Sequence, residues 1–334
     1  MRNIFVIFAL CSVVTQAQAL QFYEAFAYPP ASALAGQGGW VLSSGTSPVI
    51  QSGTLVTPGL MPAADGNSLA FGGGAMEVRH ALTNLLGGEQ PGTYFYSLAF
   101  KVTALGSMTT NGGFIAGFSQ SIQTNNAYGG LLYLRKDILG AANSYNIGVA
   151  KTSGVGGDVV WDVNAYLVNQ TNFVVCKYTT PAEQGDTSTL LWINPDPSTY
   201  GVADANRPPP TLIATAGTDL LGGVGQVLFH QTSATEGPGG IILDQLRVEG
   251  GWPHVTPVPL TLTVSITNST DLYIAWGGYQ NVLLQQTTNL TPPVAWTSLN
   301  GGLFGDASIR NYTIPNVKSE PSPKFFRLHA WSAE

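Results

Sequence analysis

The sequence predicts a secreted, all-β protein. Three observations carry that expectation: period-two alternation of apolar residues between turn signals, an excess of glycine and proline over charge, and an export-type leader. Alternation is cleanest in "TYFYSLAFKV", where Tyr94, Tyr96, Leu98, Phe100 and Val102 share one face and Phe95, Ser97, Ala99 and Lys101 the other. No segment of length places apolar residues at i, i+3, i+4 and i+7 between caps. The 334 residues include 40 glycines and 21 prolines, and only 10% are charged, against roughly 25% in an average soluble protein. Many tight turns and few exposed helices follow.

Residues 1–19, "MRNIFVIFALCSVVTQAQA", have a basic start at Arg2, an apolar run from Ile4 to Val14 and a small-residue site at Ala17-Gln18-Ala19, which reads as a cleavable signal peptide. The apolar run is shorter than the roughly 20 residues that span a bilayer, so a secreted or periplasmic chain without membrane insertion is expected. Cys11 leaves with the leader, and Cys176, in the apolar strand "TNFVVCKYTT", reads as a packed thiol. Without a disulfide framework, burial has to hold the fold. Loss of Arg2 takes the net charge from −6 to about −7 with no basic stripe, which argues against nucleic acid as a partner.

The strands continue through "GGFIAGFSQ", "GGLLYLRKD", "SYNIGVAKT", "TNFVVCKYTT", "TLLWINPDP", "GQVLFHQTS" and "IILDQLRVE". Many short strands broken by glycine and proline specify a sandwich or barrel. The composition changes after Trp252, where "PHVTPVPLT" has three prolines and reads as a stiff linker. The division is therefore a large domain over 20–256 and a small β module over 257–334. The module's strands are "LTLTVSIT", "DLYIAW", "NVLLQQTT", "RNYTIP" and "KFFRLHAW", enough for an immunoglobulin-like sandwich.

Three stretches of the large domain, "FYEAFAYPPASALAGQGGW", "LLWINPDPSTYG" and "IILDQLRVEGGWPHVTP", resemble the opening strand, a strand-then-turn and the closing strand of the concanavalin A-like lectin and glucanase superfamily. Within it they are most similar to the laminin G-like jelly rolls of secreted bacterial proteins. The resemblance implies a jelly-roll β-sandwich and a role in carbohydrate recognition or turnover. Its laminarinase-like members carry a catalytic strand of the form Glu-x-Asp-x-x-Glu or Glu-x-Asp-x-Glu, and this chain has none: no glutamate lies between Glu89 and Glu183. A retaining glycosidase needs two carboxyl groups about 5 to 5.5 Å apart, so that reaction is disfavoured. A lyase would draw on His230, Gln231 and Arg135. The resemblance also implies a structural calcium ion held by Asp244 with Glu24; the competing reading of Asp244, which sits in "IILDQLRVE" in register with Ile242, Leu246 and Val248, is a buried strut accepting backbone N–H groups. Arg247, at odd offset, is expected on the opposite side from Asp244.

Glycan binding needs aromatic platforms and polar groups rather than an acid and a base. If Leu132 and Leu134 point inward, Tyr133 and Arg135 point outward; by the same parity Trp192 is outward, and Phe95 joins them. These four are the candidate sugar contacts, unless loops or the second module cover them. Trp40, Trp161 and Trp252, near glycine or proline turns, read as rim packing. The expected function is a secreted carbohydrate-binding or adhesion protein recognising an extracellular glycan or cell-surface component. The second reading is a surface protein without sugar affinity, and the third a polysaccharide-degrading hydrolase or lyase.

Overall fold

A computed structural model describes residues 21–61, 66–82, 92–120, 127–152, 158–180, 187–220 and 223–259, then 261–268, 271–277, 282–289, 291, 294–299, 310–315 and 325–330. The leader at 1–19 and Cys11 lie outside the described residues. The strands of the large part are β1 (Gln21–Glu24), β2 (Trp40–Gly45), β3 (Val49–Gln51), β4 (Ser68–Phe71), β5 (Met76–Ala81), β6 (Gly92–Ala104), β7 (Gly113–Ser119) and β8 (Tyr128–Lys136). They continue as β9 (Ser144–Thr152), β10 (Val160–Trp161), β11 (Tyr166–Leu167), β12 (Thr171–Thr180), β13 (Thr189–Ile193), β14 (Leu212–Ala214), β15 (Gln226–Gln231) and β16 (Gly240–Glu249).

These strands form two antiparallel sheets packed as a sandwich. Sheet A runs β14-β13-β12-β6-β16-β4-β3, with β1 also on β16; sheet B runs β10-β9-β8-β7-β15-β5-β2, with β11 also on β9. The alternation read from the sequence explains the packing. Tyr94, Tyr96, Leu98, Phe100 and Val102 of β6 enter the core between the sheets, where they meet Ile115, Leu132, Leu134, Ile147 and Phe229 of sheet B. The opposite face of β6 puts Phe95 and Ala99 into a second apolar layer, outside the sandwich. Cys176 is a free, buried thiol whose pKa burial pushes up to about 12, so it stays protonated and inert.

The closing strand β16 departs from simple alternation. Asp244 lies opposite Ala99 of β6 but Arg247 lies opposite Ser97, so three steps on β16 match two on β6. Gln245, with φ 55°, is the extra residue of this β-bulge. The bulge reverses parity beyond it. Leu243, Leu246 and Val248 all enter the core, whereas Ile242 packs in the outer layer. Asp244 therefore does not share a side with Leu246 and Val248, and the odd offset to Arg247 spans the bulge instead of placing the two on opposite faces. Burial raises the Asp244 pKa to about 6, and the Arg247 charge is one of the influences that partly offset it.

After β16 the chain turns into one helical turn, α1 (Trp252–Val255), with Gly251 as N-cap and Pro253 in its first turn. The segment expected to lead straight into a linker instead docks on sheet A: Trp252 and Val255 are fully buried there, and Ser97 Oγ donates to Val255 O at 2.7 Å. Farther on, β17 (Thr261–Thr267), β18 (Asp271–Gly277), β19 (Val282–Thr287), β20 (Thr297–Ser298), β21 (Arg310–Ile314) and β22 (Phe325–Ala330) fall on the segments read as strands, β20 excepted. They make two three-stranded sheets, β17-β18-β21 and β20-β19-β22, around Ile274, Trp276, Leu284 and Ile314.

Candidate functional site

The outer face of sheet B gathers a cluster of polar and aromatic side chains. On β5, Met76 and Val78 enter the core, which turns Glu77 and Arg79 outward; on β15, Val227 and Phe229 do the same for His230. Register then sets His230 directly opposite Glu77. On β8, Leu132 and Leu134 point in, and Tyr133 and Arg135 point out. A register shift against β7, with Gly130 at φ 62°, lets Tyr128 and Leu131 join the same face. A second irregularity on β7 turns Phe114 outward beside them. Trp161 on β10 lies over Gly148, where a Cβ would come within 2.5 Å of the indole; only glycine lets the ring settle on β9.

Glu77 is the hub of this cluster. Tyr128 Oη donates to Glu77 Oε2 at 2.6 Å, His230 Nδ1 donates to the same oxygen at 3.0 Å, and Arg79 pairs with Oε1. His230 Nε2 lies 2.9 Å from Thr232 Oγ1, so the hydroxyl donates to it when the ring is neutral. Burial alone would push the Glu77 pKa up, but hydrogen bonds from His230 and Tyr128, then the Arg79 charge and Ser43, outweigh it and hold the carboxyl at about 2. Burial first, then the bond to Glu77, holds the Tyr128 phenol well above its ordinary value.

Beside the hub runs a row of rings. Phe114 stacks on His230 at 4.1 Å between centroids and 6° between planes, and lies 5.1 Å from Tyr128 and 5.8 Å from Tyr133. Tyr133 meets Trp161 edge-on at 6.1 Å, and the Arg135 guanidinium sits 4.2 Å from the Trp161 centroid. Burial, and then the charges of Glu236 and Asp158, push Tyr133 up to about 12. Chemically, the cluster is a saturated carboxylate holding a phenol, an imidazole and a guanidinium in fixed positions. Glu77 has no proton to give near neutrality, and Tyr128 keeps its own.

The four expected sugar contacts divide between two faces. Tyr133 and Arg135 belong to this site, and Trp161, expected at a rim, joins them. Phe95 and Trp192 do point outward from sheet A, but each is only 1% exposed. Residues 55–60, 196–208 and 252–258 lie over them: Trp192 packs against Trp252 at 5.1 Å, and its Nε1 donates to Pro208 O at 2.8 Å. Their parity was right and their accessibility was not, because covering segments leave no mark in strand alternation. Sequence reasoning missed Glu77, Arg79, Phe114 and Tyr128. The signal for the first two was present in "MEVRHA", which puts two charges on one face of a strand in a chain poor in charge.

His230 is in the cluster, but Gln231 faces the other way; its Nε2 donates to Ser233 O at 3.1 Å. Asp244 and Glu24 do not share a site. Asp244 accepts from Leu55 N and Gln245 N, each at 2.6 Å, on the outer side of sheet A. Glu24 accepts from Phe26 N at 2.7 Å and from Tyr28 Oη and Trp40 Nε1, both at 2.9 Å, with Trp40 in the core on the other side. Among the described residues no group of three or more His, Cys, Asp or Glu side chains could hold a metal ion. A single calcium cage of six to eight oxygens cannot draw on both carboxylates, because Asp244 and Glu24 face opposite sides of the sheet.

No protein-family profile and no curated protein matches the chain. Solved structures similar to it include an alginate lyase in complex with alginate tetrasaccharide (10% identity, TM-score 0.40, covering 69% of this chain and 96% of that one). Domain 4 of an extracellular arabinanase from Geobacillus stearothermophilus, in complex with arabinotriose, matches at 14% identity and TM-score 0.36 over 71% and 98% of the two chains. Lectin II from Ulex europaeus matches at 12% and 0.31 over 69% and 97%. Likeness this distant leaves function to be read from the side chains.

Proposed function

We propose that this is a secreted carbohydrate-binding protein that receives an extracellular glycan on the outer face of sheet B. The observation that carries the reading is the ring row Phe114–Tyr133–Trp161 set beside the Glu77 hub: rings offer faces to the apolar side of a sugar, and fixed donors and acceptors meet its hydroxyls. Phe114, Tyr128 and Tyr133 keep 7–8% of their surface exposed where Phe95 and Trp192 keep 1%, and Trp161 and His230 are only partly buried, so this face is less completely covered than that of sheet A. In this reading the sandwich is a concanavalin A-like jelly roll, the leader at 1–19 is removed on export, and residues from 257 onward serve as a spacer or attachment module.

A broad glycan array tests it. Binding that survives in a Trp192→Ala protein and disappears in Tyr133→Ala and Trp161→Ala proteins is the expected result; a folded protein that binds no sugar refutes it. One observation favours a lyase as a second reading, the convergence of Tyr128, His230 and Arg79 on one point. Glu77 engages all three, which is why binding is preferred. Release of unsaturated uronates from a polyuronate would reverse that preference.

A further inference from the structure

A groove of about 660 Å3 lies at the far corner of the sandwich, where β3, β4 and β16 run out and the chain crosses from sheet A to sheet B through Gly72–Ala75. Its volume is inside the roughly 300–1,000 Å3 range of small-ligand sites. The covering segments of sheet A stop short of it, and among the described residues none that lines the groove carries a charge.

The floor is built from backbone. Gly72 approaches Gly239 so closely that a Cβ on it would lie 2.8 Å from that residue's carbonyl, and a Cβ on Gly106 would lie 2.7 Å from Gly239 Cα. A Cβ on Gly240 would meet Thr103 Oγ1 at 2.5 Å. Backbone contact thus excludes side chains at Gly72 and Gly239, while at Gly240 a side chain would have to turn Thr103 aside, so the floor is left to backbone. Phe71, half-buried and tilted against Phe229 at 6.5 Å, forms a fixed wall. Around it, the hydroxyls of Thr46 and Thr103 and the amide of Gln51 form no side-chain hydrogen bond among the described residues, whereas Ser47 Oγ is engaged, accepting from Ala35 N at 3.1 Å.

From this combination we infer a second binding site, for an uncharged oligosaccharide, separate from the outer face of sheet B. An aromatic wall, unengaged hydroxyl and amide groups and a smooth glycine floor match the alternating apolar and hydroxyl-bearing surfaces of a neutral sugar. Among the described residues no cation lines the groove to neutralise a uronate or a phosphate. The site stands on its own lining and does not depend on the reading of sheet B.

The test is backbone-amide NMR of the full exported chain with cellotetraose, laminaritetraose, xylotetraose and mannotetraose at about 10 mM each, in the range where millimolar affinities saturate, with tetragalacturonate as the charged control. At least one neutral sugar should shift the amides of Gly73, Gly74 and Thr103 saturably. Gly74→Trp should weaken that response at least tenfold, because Gly74 has ordinary φ and a Cβ there meets nothing within 4 Å, so the indole can fill the groove without strain. Gln51→Ala, at an exposed edge position, is the second variant and should weaken it by a few-fold. The double variant Tyr133→Ala/Trp161→Ala should leave these shifts intact, which separates this site from the first. The inference is overturned if no neutral sugar moves these amides, if tetragalacturonate moves them equally, or if a folded Gly74→Trp protein responds like the parent.

Discussion

The two outer faces of the sandwich start from the same strand alternation and end differently. Sheet A presents Phe95, Ala99, Phe173, Val175 and Trp192 outward and then buries them under the chain's own segments, so that face is a second core. Sheet B presents Phe114, Tyr128, Tyr133 and Trp161 together with a carboxylate, an imidazole and two guanidiniums. The lesson lies in the company the rings keep. Around Trp192 and Trp252 polar atoms bond backbone, as Trp252 Nε1 does to Thr199 O at 2.8 Å, which is what a packed interior requires. Around Phe114 they bond one another, which builds a fixed polar cluster.

The largest effect that can break this comparison is a truncation on sheet A. Trp252→Ala should cost about 3–5 kcal/mol in urea unfolding, the usual range for removing a fully buried tryptophan. At a temperature where the variant remains folded, any glycan affinity of sheet B should be unchanged. Loss of sugar binding with little change in stability would invert the roles assigned to the two faces.

Glu77→Gln comes next. The glutamine retains the shape but loses the charge that Tyr128, His230 and Arg79 share, and glycan affinity should fall about tenfold or more. The substitution also has a pH signature. Folded Glu77 titrates at about 2 and the unfolded group near 4.5, so its contribution is fully present above pH 4.5 and is lost as pH falls from there toward 2. About 3 kcal/mol of acid-dependent stability should therefore disappear from the variant's unfolding curves. An unchanged acid limb would mean that Glu77 is not the hub.

The long strands from β6 onward, the facing of β6 and β8, and five C-terminal strands were legible in the sequence because alternation reports which side of a strand is apolar. What lies above that side was not legible, which is why Trp192 and Phe95 grouped with Tyr133 and Arg135. Nor was the parity of β16, since one residue in a left-handed conformation at Gln245 reverses every side chain after it without changing the composition. The Glu77 cluster joins four strands far apart in sequence, and only register could assemble it.

A smaller effect concerns Asp244 on the sheet A side. Burial raises its pKa to about 6, against the bonds from Leu55 and Gln245 and the Arg247 charge, which lower it. The folded chain therefore holds a proton between about pH 4 and pH 6 that the unfolded chain has released, and the Asp244 contribution to stability, about 3 kcal/mol, should be lost as pH rises through that window. Asp244→Asn should reduce the slope of this segment of the pH–stability curve, at a cost of about 1–3 kcal/mol for one backbone N–H left without its acceptor. A curve that keeps its slope in the variant would assign the proton to another group, such as Glu249, which burial raises to about 9.

The smallest expected effect is none. A chelator should leave the melting temperature within about 1 °C, because both Asp244 oxygens and both Glu24 oxygens already accept protein hydrogen bonds on opposite sides of sheet A. A bound ion would compete with Leu55 N and Gln245 N for the Asp244 oxygens and would have to find its other oxygens without Glu24, which lies across the sheet. A chelator-induced drop in melting temperature that Asp244→Asn abolishes would show that the bulge is held by a cation, and the covered face would then have a ligand of its own.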